Sequence, residues 1–185
     1  MPRLLKLACC LLLLAPFACA QHQHDPLSDA EIDQLRDTAV DPIGRLKLYI
    51  EFARARLGAI DKMSSDPKAA DRGQQIHDRL QEFLDIYDEM DDNVDNFEKR
   101  GDDLRSPLTH IIQADNEFAV KLHALHDKAN ANPSEAAQYE FLLSDALDEV
   151  SSAAKDHHKL FAEQQEAAKH KKKVPSSDTG PPDIR

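Results

Sequence analysis

The chain has 185 residues, 34 Asp and Glu against 23 Lys and Arg, and a formal net charge of −11. That charge would repel a phosphate backbone, so no nucleic-acid partner is expected. All three cysteines (Cys9, Cys10 and Cys19) fall near the start, which leaves the rest of the chain without disulfides, thiolate ligands or cysteine nucleophiles.

Residues 1–20, "MPRLLKLACCLLLLAPFACA", read as a signal peptide. Arg3 and Lys6 form the basic start, Leu7 to Leu14 the apolar run, and Ala18-Cys19-Ala20 the small residues at a cleavage site. The run is shorter than the roughly 20 apolar residues of a membrane span. Lipidation at Cys19 is the second choice, because Pro16-Phe17-Ala18 fits the lipoprotein pattern poorly. Cleavage after Ala20 removes Arg3 and Lys6 and takes the net charge from −11 to −13. The expected location is periplasmic or extracellular, and no later apolar run is long enough to span a membrane. Residues 21–27 then form a polar, flexible leader.

Five helix starts are signalled. Ser28 with Glu31 reads as a capping box. Asp41-Pro42, Asp66-Pro67, Ser106-Pro107 and Asn132-Pro133 each place a capping side chain before a proline that loses nothing in a first turn. Helices are therefore expected to begin near residues 28, 42, 67, 107 and 133.

Apolar stripes at steps of three and four support each helix. One runs Ile43, Leu46, Ile50, Ala53, Leu57, Ile60, and the next Leu80, Phe83, Tyr87, Met90, Val94, Phe97. A third runs Leu104, Leu108, Ile111, Phe118, Leu122, Leu125, and a fourth from Ala136 through Tyr139, Leu143, Ala146, Val150 and Ala153 to Leu160. No segment alternates as a half-buried strand does. The pattern predicts an all-α fold over residues 28–168 with long antiparallel helices, either an elongated, coiled-coil-like helical hairpin or a four-helix bundle. The stripe stays in phase from Phe97 through Gly101 to Ile111. This favours one kinked helix over 67–129, with 42–63 packed on one end and 133–168 on the other. Gly101 and Ser106-Pro107 argue for a break instead. Residues 169–185, rich in Lys, Pro and Ser, are expected to be disordered.

The stretch 87–105 poses a metal question. Asp91, Asn93 and Asp95 fall at the first, third and fifth positions of an EF-hand calcium loop. Asn96 then stands where Gly is wanted, Lys99 sits at the ninth position, and Asp102 is one methylene short at the twelfth. Because Val94 and Phe97 continue the apolar stripe, the acidic face of a helix is the preferred reading. His22 and His24 could take copper or zinc with a free terminal amine, but a polar leader is preferred there too. No metal site is favoured and no cofactor is expected.

His123 and His126 share a helix face without an accompanying Glu-x-x-His pair, and read as solvated edge residues. Asp115 and His157 interrupt two apolar stripes. A hairpin folded near residue 131 would put Asp115 beside Leu147, so the two are not expected to meet. No Gly-x-Ser-x-Gly nucleophile and no phosphate-binding glycine loop is present, and no catalytic residue is assigned. The basic run at 170–173 suits a helix C-terminus better than a lipid surface, and membrane contact is not expected. The basic segment 42–63 is expected to lie against the acidic face at 85–95.

The sequence thus points to an exported, non-enzymatic helical protein that acts through protein contacts, as an adaptor, chaperone-like binder or spacer. Its partner is an unidentified protein or a second copy of itself. The alternative is a metal-binding or metal-buffering protein using the histidines and the acidic 85–103 face.

Overall fold

A computed structural model describes residues 25–66 and 70–170, together with the backbone of 171–173. The segment expected to be a signal peptide (with Cys19), His22, His24, Pro67 and residues 174–185 lie outside the described residues. Among the described residues six helices follow in order: α1 (Asp29–Asp37), α2 (Pro42–Ser64), α3 (Arg72–Lys99), α4 (Arg105–Ala131), α5 (Pro133–Ala136) and α6 (Glu140–Lys173). Among the described residues there is no strand, and no helix is long and apolar enough to cross a membrane. The fold is all-α, as expected.

Two starts follow the local capping chemistry. Ser28 and Glu31 form a reciprocal capping box at α1, and the Asp41 side chain accepts from the Ile43 N–H ahead of α2. The other starts differ in detail. α3 begins at Arg72, not near 67, after Asp71 in a left-handed conformation (φ 49°). Arg72 forks onto Glu135 of α5, and Gly73 lets α5 approach, since a Cβ there would lie 3.0 Å from the Glu135 carbonyl. α4 begins at Arg105, with Pro107 in its first turn, and the Asp103 carboxylate accepts the Arg105 N–H. Asn132-Pro133 opens only the four-residue α5, and the next long helix starts at Glu140.

The expectation of one kinked helix over 67–129 is corrected. α3 closes in a Schellman arrangement: the Gly101 N–H donates to the Glu98 carbonyl (2.8 Å) and the Asp102 N–H to the Phe97 carbonyl (3.1 Å). Gly101 has φ 80°, a conformation that glycine adopts without a Cβ penalty. The stripe keeps its phase across the break because α3 and α4 each bury their own face. At the far end, α6 runs to Lys173, into the stretch expected to be disordered.

α2 packs along α3 and also against α4, while α6 packs along α4 and touches α3 over a shorter stretch. α3 and α4 meet across the core through large side chains. Phe83 stacks on Tyr87 (5.8 Å), and Phe118 meets Phe83 edge-on at 5.5 Å between ring centroids. Around this cluster the expected stripes of α3, α4 and α6 are buried, from Leu80 to Phe97, Leu104 to Leu125 and Ala136 to Ala153. Ile43, at the start of the α2 stripe, stays 39% exposed, and Tyr49 and Phe52 are buried on α2 as well.

Charged pairs tie α1 and α2 to the rest. Arg56 reaches Glu31 on α1 (2.7 Å) and Glu82 on α3 (3.0 Å), all three largely buried. Arg45 donates to the Leu35 carbonyl, to Asn93 and to the Tyr49 hydroxyl. The basic α2 therefore lies along α3, meeting the 85–95 stretch at Asn93 and Glu89 and, just before it, Glu82.

Candidate functional site

Buried polar side chains converge where α3, α4 and α6 meet. Asp115 of α4 is 2% exposed and His157 of α6 is 4% exposed. The Tyr87 hydroxyl donates to Asp115 Oδ1 at 2.7 Å, and His157 Nδ1 lies 2.9 Å from Asp115 Oδ2. His157 Nε2 lies 3.1 Å from Asp91 Oδ1 on α3, an ion pair. That oxygen is buried yet has no hydrogen bond of good geometry, so the contact is electrostatic and poorly aligned. The imidazole is thus held between two carboxylates, one sealed in the core and one at the edge of a groove.

Burial alone would push His157 down. Its bonds to Asp115 and Asp91, and their charges, overcome that and raise it to about 9. The ring is therefore an imidazolium at neutral pH, hydrogen-bonded to Asp115 through Nδ1 and paired electrostatically with Asp91 through Nε2. Burial and the neighbouring Asp115 push the Tyr87 hydroxyl up, so it remains a donor.

The expectation that Asp115 and His157 do not meet is overturned. It assumed a fold point near 131, whereas the chain turns through α5 and Ala137–Tyr139 before α6 begins. This slides α6 by almost three turns and brings His157, not Leu147, opposite Asp115. Leu104 and Gln164 report the same register, the Leu104 N–H donating to Gln164 Oε1 at 2.7 Å. The role of the Tyr87 hydroxyl was also missed. Its ring fits the stripe, and nothing local marks its hydroxyl as a donor across the core.

Beside His157 a groove of about 240 Å³ opens between α3 and α6, lined by Asp91, Asp95 and Glu98 on one side and Asp156, Lys159 and Glu163 on the other. Farther along the seam, burial pushes Asp88 up to about 6, helped by Glu149, Asp91, Asp85 and Asp92. This acidic face is helical, as preferred, and it faces α6.

The residues that suggested a calcium loop are dispersed. Asp91 to Lys99 lie within α3, where successive side chains turn by about 100°. Asn93 points to Arg45 and Tyr49, Asp95 pairs with Lys99, and Asp102 pairs with Arg100 beyond the helix end. Among the described residues, no group of three or more His, Cys, Asp or Glu is placed to hold a metal ion. His123 and His126 are exposed on α4. No protein-family model, curated protein or solved structure matches the chain.

Proposed function

We propose that the chain is an exported, non-enzymatic protein that works by contact with another protein, built as a four-helix bundle of α2, α3, α4 and α6. The bundle reading is supported by the packing of α2 and α6 each against both α3 and α4. Export rests on the sequence of residues 1–20, and N-terminal sequencing of the secreted chain is expected to begin at Gln21. The convergent polar groups favour a structural role for the core, because Tyr87, Asp115 and His157 satisfy one another and leave no free nucleophile or base.

The observation that carries the contact reading lies at the end of the bundle where Gln164 caps the start of α4. α6 continues past this point, and an open groove of about 410 Å³ separates it from the first turns of α4. Phe161 and Ala168 give this groove an apolar wall, and Arg105, Thr109, Gln165 and Lys169 form a polar rim. A half-buried aromatic ring with a polar surround is the composition of a contact surface.

A photo-crosslinking residue placed at Gln165 of the secreted chain tests the reading, with the same residue at exposed Gln74 as the control. Crosslinks at 165 that Phe161→Asp abolishes, with none at 74, are the expected result. Equal crosslinking at both positions, or none at 165, overturns it. Light scattering at several concentrations separates a second copy of the chain from a different partner.

A further inference from the structure

The seam between α3 and α6 is crowded with like charges. From α3 it receives Asp88, Asp91, Asp95 and Glu98, and from α6 Glu149, Asp156 and Glu163. His157 and Lys159 are the cations that line the groove. From α4, Asp115 faces His157 directly, with the Tyr87 hydroxyl behind it. The arginines of α2 are engaged elsewhere: Arg45 with Asn93, Arg54 with Glu117, and Arg56 with Glu31 and Glu82. The seam thus holds many carboxylates, and one buried imidazolium bridges its two sides.

A neutral imidazole has a single N–H. It can donate to Asp115 or to Asp91, and it cannot donate to both. Asp115 Oδ2 is the better partner, sealed at 2% exposure and also held by α4, while the Asp91 side chain is 31% exposed and its contact is poorly aligned. Loss of a proton therefore falls on Nε2, whose hydrogen leaves to water through the open groove. A nitrogen lone pair then faces the Asp91 carboxylate, and attraction becomes repulsion at that one contact.

We propose that His157 is a proton-operated latch on the α3–α6 seam: doubly protonated it bridges α3 and α4 to α6, and on losing one proton it keeps Asp115, releases Asp91 and lets the acidic groove widen. The asymmetry follows from the packing. α6 lies along α4 for much of its length and stays attached there, whereas its meeting with α3 is short. The released carboxylate joins a row of others, offset by Lys159 in the groove and by Lys99, which pairs with Asp95. This device concerns the α3–α6 side and is independent of the Phe161 groove.

Hydrogen–deuterium exchange of the full chain between pH 6 and 10, expressed as protection factors, tests the latch. Protection over residues 89–98 and 154–163 is expected to fall at least tenfold between pH 7 and 10, while residues 46–60 of α2 keep theirs. His157→Gln, which cannot titrate, is expected to give a flat profile over the seam. A flat profile in the unaltered chain, or the same fall in His157→Gln, overturns the latch. Should His157→Gln not fold, carbon chemical shifts in the unaltered chain decide. A ring titration near pH 9 that moves the Asp91 carboxyl and leaves Asp115 still supports it, and a midpoint below 7 or a shift at Asp115 alone overturns it.

Discussion

Asp115 on α4 and His157 on α6 lie 2.9 Å apart with almost no exposure, and Asp115 also accepts the Tyr87 hydroxyl from α3. One carboxylate therefore ties three helices together. Its removal leaves a buried imidazolium without its best-aligned acceptor and a buried hydroxyl unpaired. Asp115→Ala is expected to cost about 3–5 kcal/mol in urea unfolding at pH 6. Asp115→Asn keeps the shape and an acceptor for one donor, so it is expected to cost less and to lower the pH at which His157 titrates by NMR. Equal losses for the two variants would place the whole effect in the lost charge and none in the shape and acceptor that Asn retains.

Arg56 and Arg54 sit two residues apart on α2 and offer a contrast in burial. Arg56 is 13% exposed and bridges Glu31 and Glu82, whereas Arg54 is 44% exposed and pairs with Glu117, itself 35% exposed. Truncating Arg56 removes the cation shared by two largely buried carboxylates on α1 and α3, leaving Glu82 to Arg79 and Glu31 to Ser28. Arg56→Ala is expected to cost about 3–5 kcal/mol, and Arg54→Ala less than about 1 kcal/mol. Parallel denaturation curves check the ranking, and similar midpoints for the two variants would contradict it.

What the sequence could show was set locally. The capping box at Ser28 and the Asp41 cap involve residues two or three apart, so their chemistry is complete within one turn. The apolar stripes declared which faces are buried for the same reason. The start of α3 was not legible, because it depends on Arg72 and Gly73 meeting α5, more than 60 residues away. The meeting of Asp115 with His157 was hidden by a short connection. α5 and the turn after it consume residues that periodicity counts as long helix, and each added residue slides α6 by about 1.5 Å. The two polar residues interrupting apolar stripes were visible, and only their register was not.

Two glycines with open space around them separate conformational from steric effects. Neither Gly58 nor Gly101 would bring a Cβ within 4 Å of another group. Gly58 lies inside α2, where alanine restricts the unfolded chain and favours helix. Gly101 ends α3 at φ 80°, where a side chain is strained. Gly58→Ala is expected to stabilise the fold by about 0.5–1 kcal/mol. Gly101→Ala is expected to destabilise it by about 1–2 kcal/mol. Thermal unfolding of both variants gives the signs directly, and a neutral Gly101→Ala would mean that the helix end relaxes.

The pH dependence of stability follows from three groups whose shifts act in different windows. Glu31 is held down to about 2, chiefly by Arg56, so its contribution is present above its unfolded value of 4.5 and is lost as pH falls through 2. Asp88 is raised from 3.8 to about 6, so its place on the acidic seam costs nothing below 3.8, grows unfavourable as pH rises from 3.8 to 6, and stays so above it. His157 is raised from 6.5 to about 9, so its contribution is complete below 6.5 and is lost as pH rises through 9. The shift at this buried imidazolium corresponds to about 3 kcal/mol. The Glu31 gain and the Asp88 loss balance in acidic solution, and the urea midpoint is expected to be highest between about pH 4 and 5. It should fall modestly by pH 7 and more steeply between pH 7 and 9.5. In His157→Gln the decline above pH 7 is expected to shrink while that between pH 5 and 7 persists, because Asp88 and Glu149 remain. A stability maximum above pH 8 in the unaltered chain would contradict the charge state assigned to His157.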